Sequence, residues 1–212
     1  MNPRDSAVLT EHGQAALDYL RRGLRPIPCH APGERGRKPE DAKKPRITWK
    51  SYQTIAPTEE EIRGWWTQWP EANIAVVTGN GLLVVDLDGP HARALLASRG
   101  ITLPVDAPTV RTGKGEQVHL RCAEPGIKNA VRIIHNGLPP GDPNASAVDV
   151  RAAGGYAMVP PSVHPSGRRY EWVVPLGGGP PPLAPPELLR MIVTPPGPPP
   201  ASAAPWRTQR RG

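Results

Sequence analysis

Apolar residues recur at three- and four-residue spacing through 6–22, where Val8, Leu9, His12, Ala16, Tyr19 and Leu20 mark one helix face that Gly23 stops. A short strand over 24–28 follows, limited by its two prolines. The pattern predicts a second helix over 58–69. Thr58 and Glu61 make a capping box after Pro57, and Ile62, Trp65, Trp66 and Trp69 form one apolar stripe. That stripe assigns the tryptophans to core packing rather than to base stacking. Beyond Pro70 the period shortens to that of strands. Ile74 to Val77 and Leu82 to Asp88 are apolar runs around Gly79-Asn80-Gly81, a turn signal that predicts a hairpin. A short helix over 91–99 ends at Gly100. Further strands are predicted over 109–112, 117–122, 147–151, 155–160 and 169–174, with a Pro/Gly/Asn-rich loop over 136–146 and a last helix over 185–193. Helices and hairpins without regular βαβ alternation point to an α+β, mixed α/β fold.

Composition sharpens the organisation. The chain of 212 residues suits one sizeable domain. Twelve of its 30 prolines lie in 175–212. The expected boundaries are a folded domain over 1–194 and a disordered Pro/Ala/Arg-rich tail over 195–212, too poor in apolar residues to order itself. The formal charge is +7, a surplus that favours polyanionic partners. Six of the basic residues (Arg35, Arg37, Lys38, Lys43, Lys44 and Arg46) crowd the loop 30–46. No apolar run approaches a membrane span, and Met1 to Asp5 do not open a signal peptide, so a cytoplasmic protein is expected. Two cysteines, Cys29 and Cys122, make neither a disulfide framework nor a four-cysteine zinc site.

The candidate chemistry centres on Val84-Val85-Asp86-Leu87-Asp88-Gly89. Strand alternation puts Asp86 and Asp88 on one face, their Cβ atoms about 6–7 Å apart, with Leu83, Val85 and Leu87 on the other. Paired carboxylates on an apolar strand repel each other and resist burial. Either a divalent cation relieves them, since Mg²⁺ takes carboxylates together with substrate phosphates, or the strand end emerges into solvent. Asp149 sits in a similar run, Ala147 to Arg151. Three such acids suit two metals about 3.5–4 Å apart. His119 lies on a further strand behind Arg111-Thr112-Gly113-Lys114-Gly115, a loop whose glycines let backbone N–H groups approach phosphate.

The ordered set of motifs resembles the bifunctional DNA primase/polymerase (prim-pol) domain of plasmids, phages and mobile elements, in the archaeo-eukaryotic primase superfamily. The matching pieces are Ala16 to Gly23 with Pro26 and Pro28, Lys44-Pro45 with Trp49, Thr58 to Trp66, Asn73-Ile74, Thr78-Gly79, the Asp86/Asp88 strand, Thr112 to His119, Val148 to Arg151, Gly154-Gly155-Tyr156, and Pro160 to His164 ahead of Gly167 and Tyr170. The resemblance implies a primase-type core related to the RNA-recognition fold, packed with an N-terminal α/β unit, the active site opening between them. It implies Asp86, Asp88 and Asp149 as ligands of Mg²⁺ or Mn²⁺, and His119 as a contact to the phosphates of an incoming nucleotide. Arg111, Lys114, Arg151 and Lys44 are further candidates for nucleotide or template contacts. Nucleoside triphosphates and a single-stranded DNA template are the implied substrates, and a separate helicase or replication protein the implied partner. Glu116, Gln117 and Val118 separate Gly115 from His119, whereas the family's motif brings its histidine close behind a glycine pair.

Two other readings stand beside this one. The run Val84 to Gly89 also resembles the nucleophile motif of haloacid dehalogenase-type phosphatases, with Asp86 as nucleophile, although Pro90 stands where that family has Thr. A non-catalytic DNA-binding replication module would carry the same basic loop without the chemistry.

Overall fold

The computed structural model describes residues 8–193. In chain order the elements are α1 (Glu11–Arg21), β1 (Pro26–Cys29), α2 (Glu59–Gln68), β2 (Asn73–Val77), β3 (Leu82–Asp88), α3 (Ala92–Ala97), β4 (Thr109–Arg111), β5 (Gly115–Arg121), β6 (Ala130–His135), β7 (Ala147–Arg151), β8 (Tyr156–Val159), β9 (Glu171–Val174) and α4 (Pro186–Val193). The fold is mixed α+β. A three-stranded antiparallel sheet runs β1-β2-β8, and a six-stranded antiparallel sheet runs β6-β7-β3-β5-β4-β9. The tail predicted over 195–212 lies outside the described residues.

The helices form where the sequence carries their signals. Thr10 caps α1 by accepting from the Gly13 N–H. The capping box of α2 is complete, Thr58 accepting from Glu61 N–H while the Glu61 carboxylate accepts from Thr58 N–H. Trp66 is buried on the stripe, its indole N–H donating to the Ala72 carbonyl, and Trp65 and Trp69 are half-buried beside it. The tryptophan stripe is core. Within the loop 30–46, Pro39–Lys43 winds into a short 3₁₀ turn.

The expected hairpin of β2 with β3 does not form. Gly79, Asn80 and Gly81 do make a tight turn, all three with positive φ. The turn passes the chain from one sheet to the other. β2 is held between β1 and β8, while β3 is held between β5 and β7. Both edges of each strand are taken by partners distant in sequence, so long-range pairing wins over the local turn. Strand β6 is an element the sequence pattern did not reveal. Val131 and Arg132 are exposed, Arg132 has φ of 50°, and the register with β7 shifts between Ala130 and Ile134. A bulged edge strand carries no clean alternation to read.

Alternation elsewhere sorts the core. Leu83, Val85 and Leu87 of β3, with Val118 and Leu120 of β5 and Val148 and Val150 of β7, pack under α3 and α4. The opposite face of the same strands presents Val84 and Asp86, Gln117 and His119, Asp149 and Arg151, and it turns towards the smaller sheet. Ile74, Val76, Ala157 and Val159 of the smaller sheet meet α1 and α2, and its Ala75, Val77 and Met158 meet Val110 and Tyr170.

Candidate functional site

Strand β3 lies inside the larger sheet, and its register places Asp86 directly across from Asp149 on one side and Gln117 on the other. Directly opposed residues share a face, so all three side chains look into the space between the sheets. The Arg151 guanidinium joins the two acids, donating to Asp149 at 2.9 Å and to Asp86 at 3.4 Å. The second oxygen of Asp149 accepts from the backbone N–H of Arg132 at 2.6 Å, so the bulge in β6 orients this carboxylate. Asp86 is only 9% exposed. Burial, then the charge of Asp88, pushes its carboxyl up to about 6, with Arg151 opposing and Asp149 adding to the rise. Asp88 follows two residues on, at the partly exposed end of the strand.

Cations converge on the same place. Lys43 feels Asp86, Asp88, Lys114 and Arg151, and burial lowers its pKa more than the two acids restore it. Lys114 arrives on the β4–β5 turn, where the Lys114 carbonyl accepts from Gly89 N–H directly after Asp88. The Lys43 loop is secured by Asn73, which is fully buried. The Asn73 amide donates to the carbonyls of Ala42 at 3.1 Å and Val163 at 2.8 Å, and its oxygen accepts from Val163 N–H at 2.8 Å. One side chain thus ties the residue before Lys43 to the residue before His164. A cleft of about 250 Å³ opens beside these groups, lined by Lys43, Asp86, Gln117, Arg151, Tyr156 and Tyr170 among others. The Gln117 side-chain oxygen is buried there without a hydrogen-bond partner.

The structure therefore brings together Asp86, Asp149 and Arg151, with Asp88 and Lys114 close by. It does not bring His119 to them. His119 stands one pair further along β5, opposite Val84, with no exposed surface and both ring nitrogens unpartnered. Its ring packs on Trp172, the centroids 5.2 Å apart, and burial holds its pKa down to about 4. Lys44 turns outward and pairs with Asp41 at 2.6 Å. Arg111 pairs with Glu171 at 3.1 Å on the exposed edge formed by β4 and β9. Sequence reasoning named Lys43 in the basic loop and Asn73 and His164 within the family's motifs, but gave none of them, nor Gln117, a role in the site. The one signal for Gln117 was its two-residue offset from His119, which strand alternation puts on the same face.

The residues can be tested against a divalent cation on their own chemistry. The donors are carboxylates, the hard oxygen ligands that Mg²⁺ and Mn²⁺ take. The Asp86 carboxyl is raised first by burial and then by the charges of Asp88 and Asp149, which Arg151 opposes; a divalent cation would relieve that crowding of negative charge. Among the described residues no three His, Cys, Asp or Glu side chains are already gathered as a metal cage, and Asp149 is engaged by Arg132 and Arg151. Asp86 and Asp88 are thus the pair that fits, with Asp149 adjacent.

The class these features set is an α+β protein whose inter-sheet cleft holds strand carboxylates beside lysine and arginine cations. The family is specific. Residues 16–187 match the family described as bifunctional DNA primase/polymerase, N-terminal, and the chain belongs to it. Membership makes it a DNA primase/polymerase domain in general terms, for which DNA and nucleotides are the implied substrates. No curated protein matches the chain. No helix among the described residues is long and apolar enough to cross a membrane.

Proposed function

We propose that the chain catalyses template-directed nucleotidyl transfer from nucleoside triphosphates, in the replication of a plasmid, phage or mobile element. A primer 3′-hydroxyl attacks the α-phosphorus. The new oxygen–phosphorus bond forms as the bond to the β-phosphate bridging oxygen breaks, pyrophosphate leaves, and the hydroxyl proton is lost. In priming, a second nucleotide supplies the hydroxyl. Asp86 and Asp88, with Asp149 alongside, would hold Mg²⁺ or Mn²⁺, which supplies charge neutralisation at the transferring phosphoryl group. Lys43, Lys114 and Arg151 attract and orient the triphosphate by charge. The exposed Arg35, Arg37 and Lys38 lie on the loop leading to Lys43 and suit the backbone of a single-stranded template. A separate helicase or replication protein would open the duplex.

The observation that supports this reading best is the meeting of Asp86, opposed by Asp149, with Lys43 and Arg151 at one cleft. Acids suited to a cation stand beside cations suited to phosphate. The phosphatase alternative gains nothing from the site, because the family match spans the whole region around Asp86. The experiment is incorporation on a single-stranded template with each nucleotide type, with and without primer, in Mg²⁺ and Mn²⁺. Asp86→Asn and Asp88→Asn should each reduce incorporation at least a thousandfold while DNA binding persists. Wild-type DNA binding with no incorporation under any condition would favour the non-catalytic module instead.

A further inference from the structure

Strand β6 carries a residue whose backbone is strained for a reason the fold does not supply. Arg132 has φ of 50°, in the left-handed region that is unfavourable for every residue with a Cβ. Among the described residues the one other non-glycine case is Asn80, in a turn that suits asparagine. The position of Arg132 follows from the register. Ala130 pairs with Val150 and Ile134 with Val148, so Val131, Arg132 and Ile133 stand against Asp149 alone. The middle residue turns its N–H onto the Asp149 carboxylate at 2.6 Å.

That bond belongs to the peptide group, and glycine would supply the same N–H without strain. The Arg132 side chain is exposed, and among the described residues it makes no hydrogen bond and no ion pair. No polar contact within the described fold therefore offsets its strain. Strain kept at an exposed, unpaired arginine beside a cleft marks a contact to something outside the chain.

The place of Arg132 in the sheet points to the ligand. In an in-line nucleotidyl transfer the attacking and leaving oxygens lie on opposite sides of the phosphorus. In the larger sheet β5, with its Lys114 turn, lies on one side of β3, and β7 followed by β6 lies on the other. A pyrophosphate leaving on the Lys114 side leaves the β7 and β6 side to the attacking hydroxyl. Asn129, the residue before β6, lines the cleft, so this edge strand borders it. Arg151 also lies on this side, but its guanidinium is engaged by Asp86 and Asp149. On β6 the next guanidinium outward is that of Arg132. A guanidinium suits a phosphodiester, which it can hold by two parallel hydrogen bonds.

We infer that the Arg132 guanidinium holds a backbone phosphate of the primer strand close to its 3′ end, so that the 3′-hydroxyl arrives past Asp149. This rests on the nucleotidyl-transfer reading and names the side from which the primer enters that same site. The peptide N–H of Arg132 positions a carboxylate while its side chain takes the DNA, which is why arginine stands where glycine would fit more easily.

The test uses the full chain and three probes: a recessed primer–template duplex, the template strand alone, and an α,β-methylene nucleoside triphosphate. Arg132→Gly is the informative variant, because it keeps the bulge and the N–H to Asp149 and removes the side chain. It should bind the primer–template about tenfold more weakly than wild type, the value of one hydrogen bond to a charged group. Its double-logarithmic salt slope should flatten by about 0.7–0.9, one phosphate contact. The template alone and the triphosphate should bind as they do to wild type. Arg132→Lys should recover primer–template affinity to within about threefold. In primer extension, the KM for primer–template should rise in Arg132→Gly while the KM for nucleotide stays. Urea unfolding should find Arg132→Gly at least as stable as wild type; a less stable variant with unchanged primer–template affinity would make the side chain structural and overturn the inference. Unchanged primer–template affinity in a stable Arg132→Gly, with wild type extending primers, would overturn it too and leave the nucleotidyl-transfer reading standing. Equal weakening on the template alone, or weakening of the triphosphate, would give Arg132 to those ligands instead. A wild type that binds primer–template yet extends nothing in Mg²⁺ or Mn²⁺ would remove the reading and the inference together.

Discussion

His119 and Asp86 are two polar side chains on adjacent strands and one sheet face, yet their surroundings give them opposite meanings. Asp86 opens on the cleft and retains a counter-charge. His119 has neither solvent nor a partner for either nitrogen. A buried unsatisfied imidazole costs stability, and replacing it with an apolar residue of similar volume is neutral or favourable. The pH dependence has a definite sign. The folded-state pKa is held at about 4, below the ordinary histidine value of 6.5, so between these limits the unfolded chain binds the extra proton. Stability from this group is present above 6.5 and lost as pH falls towards 4, by about 3 kcal/mol when complete. His119→Leu should therefore fold and lose less stability than wild type between pH 7 and pH 5, as measured by urea unfolding. An equal acid sensitivity in the two proteins would show that His119 is not sealed as the structure has it.

At the scale of elements, the site depends on joints between pieces that are far apart in sequence. Asn73 begins β2, yet it holds the Lys43 loop and the His164 turn with three hydrogen bonds. Asn73→Ala would leave the Ala42 and Val163 carbonyls and the Val163 N–H without these partners. The expected loss is about 3 kcal/mol of stability, since each orphaned buried group costs about 1–3 kcal/mol and the effects overlap. Triphosphate affinity should fall with it, because the Lys43 loop loses its anchor. A variant of wild-type stability in denaturant would show that this clamp is dispensable. Helix α1 was legible from its stripe and its glycine stop, and α2 from its capping box and stripe, because those signals are local. The pairing of β2 and β3 was not, because each strand's true partners lie elsewhere in the chain. Strand β6 escaped notice because its bulge breaks the two-residue period, although that same bulge supplies the N–H that orients Asp149.

Across the whole molecule the charge is segregated. The interior of the cleft carries acids with compensating cations, while Arg35, Arg37 and Lys38 stand exposed on the loop outside. If that loop tracks a template, binding of single-stranded DNA falls linearly on a double-logarithmic salt plot. Replacing Arg35, Arg37 and Lys38 together with Gln should flatten the slope by about 2, at about 0.7 per phosphate contact on single strands. Incorporation on a saturating template should survive, since none of the three lines the cleft that holds Asp86. An unchanged slope would move the template path away from this loop.

By itself the sequence determined the mixed α+β class, the capped helices, and the face shared by Asp86 and Asp88, because helix caps and strand alternation act between near neighbours. It also carried the ordered motifs that the family match over 16–187 bears out. Only the tertiary structure decided which polar residues meet. It set Asp149 opposite Asp86, chose Lys43 over Lys44 and sealed His119. Those choices follow from sheet register and from a single buried amide that clamps two loops. Both depend on contacts across large sequence separations, which no local pattern of residues encodes.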